Sequence, residues 1–197
     1  MMKRHSIARV VKVIIYLLTP ILLSFSGIGV NDIDKKKSTS KEIDDTLRIV
    51  ITGDLLLDRG IRQKIDMAGV DALFSSGIDS LFHSSNYVIA NLECPVTQIR
   101  ERVFKRFIFR GEPEWLPTLR CHGITHLNLA NNHSIDQGRR GLLDTQEQIK
   151  KAGMIPIGAG KNMEEAAEPV LISTSPRHVW VISSLRLPLE NFLYLPQ

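Results

Sequence analysis

Three apolar runs of this sequence are each followed by polar side chains that can bind a metal ion or an anion. The side chains that follow the runs IVIT, VIA and LNLA are, in chain order, Asp54, then Asn91 and Glu93, then Asn131, Asn132, His133 and Asp136. Carboxylate oxygens, amide oxygens and imidazole nitrogens are ligand types for Mn, Fe and Zn. If the three runs are neighbouring strands, this spacing predicts a metal site that can polarise a phosphoryl group.

Each of these residues also has an ordinary structural interpretation. A Gly-Asp pair after a strand is common in turns, and Asn91 and Glu93 can cap the next element. Asn131 and Asn132 can form an Asx-turn, and a single His is more often structural than a ligand. Their occurrence after three successive runs favours the site over three unrelated turns.

The order of elements predicts an α/β domain with a largely parallel sheet, because short apolar runs alternate with helical stretches. Strands are expected at 47–52, 87–91, 125–130 and 154–158, helices at 61–68, 72–82, 111–121, 138–151 and 163–167, and a hairpin at 170–173 and 178–183. In the helix at 138–151, Leu142, Leu143, Gln146 and Ile149 are expected to line one side. In parallel sheets, ligands bind at the carboxyl ends of the strands.

The first 46 residues predict a targeting segment and a linker. MMKRHSIARVVK is basic and residues 13–31 carry no charge, which predicts a signal peptide or membrane anchor over 1–30. Residues 31–46 predict a polar linker, and 47–197 the domain. The protein is therefore expected to be exported, either secreted or at the extracellular face of the cell membrane. Four of the 25 Lys and Arg residues precede residue 31, and the other 21 balance 21 Asp and Glu, so no nucleic-acid partner is expected.

The chain has two cysteines, Cys94 and Cys121. Export makes a disulfide between them permissible. The sequence leaves this disulfide and two buried thiols as alternatives, because it does not give the distance between the two residues.

Four segments occur in a specific order and spacing: GDLLLDR (53–59), NLECP (91–95), FRGEP (109–113) and ANNHSIDQG (130–138). Together with the later GAG (158–160), they resemble the CapA family, which is named for poly-γ-glutamate capsule synthesis. The resemblance covers about residues 47–180. It implies a branch of the metal-dependent phosphoesterases, with an α/β/β/α sandwich fold.

By this resemblance, Asp54, Glu93 and Asn132 would bind divalent metal ions, two of them, of the type Mn, Fe or Zn. His133 would contact the phosphoryl group or protonate the leaving group, and Arg59 and Asp136 would support catalysis or position an anion. The implied activity is metal-assisted hydrolysis or transfer at a phospho-ester or related bond.

The resemblance also implies a biological setting. The substrate would be an anionic capsule polymer such as poly-γ-glutamate, or a phospho-linked precursor of it. The role would be synthesis, export or anchoring of that polymer, and a membrane synthase complex is an implied partner.

The sequence departs from the phosphoesterase pattern at several places. Leu56 stands where that superfamily has a His, NLE replaces GDxxD, and His178 is the only His after His133. The second half of the sandwich, with its later ligands, is therefore expected to be missing. Two other interpretations stay open: a non-enzymatic envelope factor that binds or tethers the polymer through the basic stretch 98–110, or an inactive truncated fragment.

Overall fold

The centre of the fold is a four-stranded parallel sheet in a computed structural model that describes residues 46–101 and 103–185. Its strands are β1 (Ile49–Leu55), β2 (Tyr87–Leu92), β3 (His126–Asn128) and β4 (Ile155–Ile157). They are hydrogen-bonded in the order β1-β2-β3-β4, and every neighbouring pair is parallel. The leader expected at 1–30, nearly all of the linker and residues 186–197 lie outside the described residues.

Five helices connect or follow these strands: α1 (Gly60–Ala68), α2 (Ser76–His83), α3 (Leu116–Cys121), α4 (Gly138–Lys151) and α5 (Met163–Ala167). Short 3-10 turns occupy Val70–Leu73 and Pro113–Trp115. The helix expected at 72–82 is divided because the side chain of Ser75 caps α2 and accepts a hydrogen bond from Ile78 N at 3.3 Å. None of the helices in the described residues is long and apolar enough to cross a membrane.

The two faces of the sheet bury different clusters, because side chains alternate along a strand. On one face, Val88, Ala90 and Leu92 of β2 join a large cluster with residues from α1, α2, α3 and α4. On the other face, Ile89 and Ile157 pack against a hairpin. The helices that contribute to the large cluster therefore cover only one face of the sheet.

The hairpin consists of β5 (Val170–Ser173) and β6 (Val179–Val181), which pair antiparallel as expected. Ile172 lies buried against the sheet, with Val170 and Val181 packed beside it. The layers are thus helices, parallel sheet and hairpin, which confirms the α/β fold class. Within the described residues the second β layer is limited to this two-stranded hairpin.

The two cysteines are not joined by a disulfide. Cys94 is buried, and this burial raises the pKa of its thiol to about 12. Cys121 is exposed at the end of α3. The expectation of a buried thiol is therefore right for Cys94 and wrong for Cys121.

Candidate active site at the carboxyl edge of the parallel sheet

A bulge in β1 determines the direction of the Asp54 side chain. Ile51 pairs with Ile89 and Asp54 pairs with Asn91, so β1 contains one more residue than β2 between these two pairs. Adding one residue reverses the face on which the following side chains lie. Without the bulge, Asp54 would face the helices. With it, Asp54 shares a face with Asn91 at the carboxyl ends of the strands.

Asn91 connects the polar side chains of three strand ends. Its amide nitrogen donates to Asp54 Oδ1 at 2.7 Å and to Glu93 Oε2 at 2.8 Å. Its amide oxygen accepts from Asn128 Nδ2 at 2.8 Å and from Asn131 Nδ2 at 3.1 Å. All of the donors and both lone pairs of the Asn91 amide are used, so this side chain holds the two carboxylates in fixed positions.

His133 is oriented by a buried carboxylate. Its Nδ1 lies 2.7 Å from Oδ2 of Asp136, and its Nε2 lies 4.0 Å from Oε1 of Glu93. The side chain of Asn131 shapes the turn, because its Oδ1 accepts from the backbone N–H of His133 at 3.0 Å. An ionised carboxylate can only accept, so a proton on Nδ1 faces Asp136 and Nε2 faces Glu93.

The basic stretch 98–110, hereafter the strap, lies against this turn. The ammonium group of Lys105 pairs with Asp136 and donates to the backbone oxygen of Asn132 at 2.7 Å. The backbone N–H of Phe109 donates to Asp136 Oδ2 at 2.8 Å. The described part of the strap contains no helix or strand, so these contacts, and not a hairpin ladder, fix its position.

Arg110 and Glu112 attach the carboxyl end of the strap to α1. Arg110 donates to Thr97 O at 2.6 Å, and Arg62 of α1 donates to Glu112 Oε1 at 2.8 Å. Burial by itself raises the pKa of Glu112, but its hydrogen bonds with Arg110 and Arg62 outweigh burial, so the pKa is lowered. Glu112 therefore stays charged and keeps both cations in place.

Arg59 reaches the site from an unusual backbone conformation. Its φ is 56° and its ψ is −127°, and it is the one non-glycine with positive φ among the described residues. Its guanidinium lies 4.9 Å from the centre of the Phe107 ring and 4.8 Å from that of Phe109. The Phe109 ring lies 4.4 Å from the His133 ring. The Phe109 ring thus contacts both the exposed guanidinium of Arg59 and the ring of His133.

The donor types of this cluster fit a divalent metal, but their number falls short of a full ligand set. Burial raises the pKa of Glu93, and the neighbouring charge of Asp54 raises it further. However, residues 46–101 and 103–185 contain no group of three His, Cys, Asp or Glu side chains placed to hold a metal ion. Further ligands would have to come from outside the described residues.

Most of the residues predicted as a site are brought together. Asp54, Glu93, His133 and Asp136 form one connected cluster. Asn132 contacts this region through its backbone oxygen, which accepts a hydrogen bond from Lys105. Its neighbour Asn131 is the asparagine whose amide group belongs to the network around Asn91.

Two residues of this edge were missed by sequence reasoning. The sequence shows Lys105 only as one residue of the basic stretch 98–110, and nothing in the sequence connects it with Asp136. Asn128 could have been found, because it precedes the ANNH segment on β3 and pairs with Asn91 in the parallel register.

Together, the four-stranded parallel sheet and the helices on one of its faces define an α/β protein, and this architecture is consistent with a CapA and metallophosphoesterase-like fold. The chain belongs to the family described as "Bacterial capsule synthesis protein PGA_cap", which matches residues 48–188. This match confirms the resemblance on which the sequence interpretation rests. The description of this family refers to bacterial capsule synthesis.

Three relatives illustrate the similarity. The "PGA biosynthesis protein CapA" of Bacillus subtilis (strain 168) is 28% identical over 152 residues, which are 76% of this chain and 39% of the relative. The "Capsule biosynthesis protein CapA" of Bacillus anthracis is 29% identical over 123 residues, 60% of this chain and 30% of the relative. A "Probable polyglutamine synthesis accessory protein" of Mycobacterium tuberculosis (strain CDC 1551 / Oshkosh) is 27% identical over 103 residues, 52% of this chain and 27% of the relative.

The matched part is thus well under half of each of these relatives. What their names say of capsule and polymer synthesis applies to those longer proteins.

Proposed function

We propose that this chain contributes a metal-dependent phosphoesterase-like site to the synthesis of an anionic capsule polymer. The substrate would be a polymer of the poly-γ-glutamate type or its phospho-linked precursor. Family membership supports the setting. The observation that carries the chemistry is the orientation of His133, whose Nδ1 is held by buried Asp136 while its Nε2 faces Glu93.

In this proposal each residue of the cluster has a role. Asp54, Glu93 and Asn132 would bind divalent ions of the Mn, Fe or Zn type, with further ligands from outside the described residues. When bound, such ions polarise a phosphoryl oxygen and lower the pKa of bound water.

The other roles belong to residues that handle protons and charge. In its imidazolium form, with a proton on each ring nitrogen, His133 would deliver the Nε2 proton to the leaving oxygen, and Asp136 would hold the Nδ1 proton and keep the ring in the required orientation. Arg59 would bind a negatively charged group of the substrate, because its stacked guanidinium keeps N–H groups at its edge available.

The location and partners of the protein are part of the same proposal. The basic and apolar N-terminal residues support export, with the protein secreted or held at the extracellular face of the cell membrane. There it would work beside a membrane synthase that makes or exports the polymer.

Metal content is the first test. The full chain is purified, loaded with Mn²⁺, Fe²⁺ or Zn²⁺, and measured by elemental mass spectrometry beside Asp54→Asn and the double variant Asn132→Ala/His133→Ala. Near-stoichiometric metal in the wild type that falls at least tenfold in both variants is expected. Asp66→Asn, an exposed carboxylate on α1, is the matched control and should keep the metal.

Activity is the second test. Loaded protein is assayed with a chromogenic phosphodiester, and the double variant is expected to lose at least a hundredfold in rate, because both proton delivery and metal binding are removed. Wild-type metal uptake and rate in the double variant would refute the proposal.

A second candidate is a non-enzymatic factor that binds or tethers the polymer. It is favoured by the lack, within the described residues, of a three-ligand metal group, and by the exposed guanidinium of Arg59. Binding of poly-γ-glutamate that survives chelation and Asp54→Asn, weakens with salt and falls in Arg59→Gln would support this candidate.

A further inference from the structure

The strap has two chemically different sides. Lys105, Phe109 and Arg110 point inward: Phe109 and Arg110 are buried, and Lys105 contacts Asp136. The outward side is formed by four exposed residues, which are Phe104, Arg106, Phe107 and Ile108. The inward contacts fix the position of the strap against the rest of the domain. The exposed side chains therefore belong to a segment whose backbone is held in place.

We propose that this outward side of the strap inserts into the surface of an anionic lipid bilayer. Phe104 is 79% exposed, Phe107 is 46% exposed and Ile108 is 43% exposed, all within five positions. Large apolar side chains grouped on an exposed segment mark an interaction site, whereas single exposed ones are ordinary. Aromatic and aliphatic side chains at this density fit the boundary between lipid headgroups and acyl chains.

The cations around the apolar group match the charge of such a surface. The guanidinium groups of Arg59 and Arg106 lie 4.9 Å and 5.1 Å from the centre of the Phe107 ring. Arg100 is exposed at the other end of the strap. If Phe107 enters the headgroup region, these guanidinium groups remain at the level of the lipid phosphates, where arginine side chains bind.

A bilayer explains this surface better than a soluble polyanion does. A polyanion binds through cations, yet Lys105 pairs with Asp136 and Arg110 pairs with Glu112 beneath the strap. The exposed arginines would pair with the anionic groups of either partner, but a water-soluble polymer gains little by covering Phe104 or Ile108. A partner with both phosphate and hydrocarbon can bind the exposed arginines and also cover the exposed apolar side chains.

Arg59 has a role in both proposals, but this inference rests on the outer side of the strap and its test uses none of the residues proposed for the chemistry. It has a consequence for the site, however. The inner side of the strap carries Lys105 and Phe109 against Asp136 and His133. Insertion of the outer side would therefore bring the candidate site close to the membrane surface, where a lipid-attached substrate would be found.

The test uses the full chain with a polarity-sensitive fluorophore at single positions. Cys121→Ser removes the exposed thiol, and Phe104→Cys or Ile108→Cys supplies the labelling site, while Cys94 is buried. Met67→Cys is the control, since Met67 on α1 is 81% exposed but outside the strap. Because the fluorophore reports its own surroundings, attachment through the N-terminal segment does not imitate insertion of the strap.

Vesicles of phosphatidylglycerol are expected to shift the emission at positions 104 and 108 to the blue and to leave position 67 unchanged. Vesicles of phosphatidylcholine should produce a smaller shift. Arg106→Gln should raise the phosphatidylglycerol concentration for half the shift about threefold, and Arg177→Gln, an exposed cation outside the strap, should not.

Three results would overturn the inference. One is unchanged emission at 104 and 108 on phosphatidylglycerol vesicles. Another is an equal shift at position 67, which would indicate non-specific adsorption. The third is a shift produced by soluble poly-γ-glutamate and absent with vesicles, which would assign the strap to the polymer.

Discussion

His133 and Asp136 form a hydrogen bond of 2.7 Å in which the carboxylate has no exposed surface. The same carboxylate accepts from the backbone N–H of Phe109 at 2.8 Å and pairs with Lys105. Asp136 therefore joins the His133 turn to the strap. Any change in this carboxylate should affect both the orientation of His133 and the folding of the strap.

Asp136→Asn is expected to lower the free energy of unfolding by about 3 kcal/mol, because it leaves a largely buried ammonium group without its counter-ion. The new amide group would also place its own N–H donors opposite groups that now donate to the Asp136 carboxylate, such as the backbone N–H of Phe109. Chemical denaturation of the full chain at pH 7 measures the change.

Two variants control for this prediction. Asp66→Asn on the exposed side of α1 should change stability by less than about 0.5 kcal/mol. Adding Lys105→Gln to Asp136→Asn should recover part of the loss, because the unpaired charge is removed. A loss below about 1 kcal/mol in Asp136→Asn would show that the pair is not buried as described.

The backbone of Arg59 should be strained, because its φ is positive. A pair of variants separates the effect of this strain on stability from the effect of the lost side-chain contacts. Arg59→Ala and Arg59→Gly both lose the stacking on Phe107 and Phe109. Glycine adopts a φ of 56° with a ψ of −127° at no steric cost, whereas alanine does not. The Gly variant is therefore expected to be more stable than the Ala variant by about 1 kcal/mol.

The same pair of substitutions at Lys64 is the matched control. Lys64 lies inside α1, where glycine is less favourable than alanine by about 1 kcal/mol. The order of the Gly and Ala variants should thus be opposite at the two positions. If the Ala variant were the more stable one at both positions, the Arg59 backbone would carry no strain. If strain is confirmed, Arg59 is held in place at a cost to stability, as is common at binding sites.

The sequence predicted the edge at which the site lies but not how each side chain reaches it. Parallel pairing brings successive strand ends together, so Asp54, Glu93 and His133 could be grouped in advance. The bulge between Ile51 and Asp54 could not be predicted, because a single extra residue leaves no periodic signal. The contact between Lys105 and Asp136 joins residues far apart in sequence and depends on tertiary packing alone.

In helix α4, too, the bounds could be predicted from the sequence, whereas the buried residues depend on tertiary contacts. Its bounds, Gly138–Lys151, are those expected from the sequence. Its buried residues are Gly138, Gly141, Thr145 and Ile149. Of the four residues expected along one side, Ile149 is buried and Leu142 is partly buried against the large cluster. Thr145 is buried because its hydroxyl donates to Gly141 O at 2.7 Å and accepts from Val96 N at 3.0 Å. Hydropathy counts Thr145 as polar and does not include these partners.

His126 should make the protein less stable in acid. It is buried, and burial lowers the pKa of its ring below the ordinary value of 6.5. The unfolded chain therefore binds a proton that the folded chain does not, and stability falls as the pH drops below about 6.5. In His126→Phe, which fills a similar volume, this decline between pH 7 and pH 5 should be smaller. An unchanged decline in chemical denaturation would contradict the assignment.

His122 should have the opposite pH dependence. Its Nδ1 lies 2.6 Å from Asp79 and its Nε2 lies 3.0 Å from Asp71, while its ring stacks on Phe74. Burial by itself lowers the pKa of His122, but the hydrogen bonds and charges of Asp79 and Asp71 outweigh it, so the pKa is raised above 6.5. The folded state then binds a proton more tightly than the unfolded state. This contribution is complete below pH 6.5 and is lost as the pH rises through the raised pKa.

His122→Gln tests this dependence, because glutamine can keep a hydrogen bond to a carboxylate but carries no charge. Wild-type protein should lose more stability than His122→Gln when the pH is raised from 6 to 9. The double variant Asp71→Asn/Asp79→Asn should resemble His122→Gln, since without the two carboxylates the ring has no reason to retain its proton. Equal pH slopes in the wild type and His122→Gln would mean that His122 is already neutral at pH 6, and the ion pairs across α2 and the Val70–Leu73 turn would then contribute nothing.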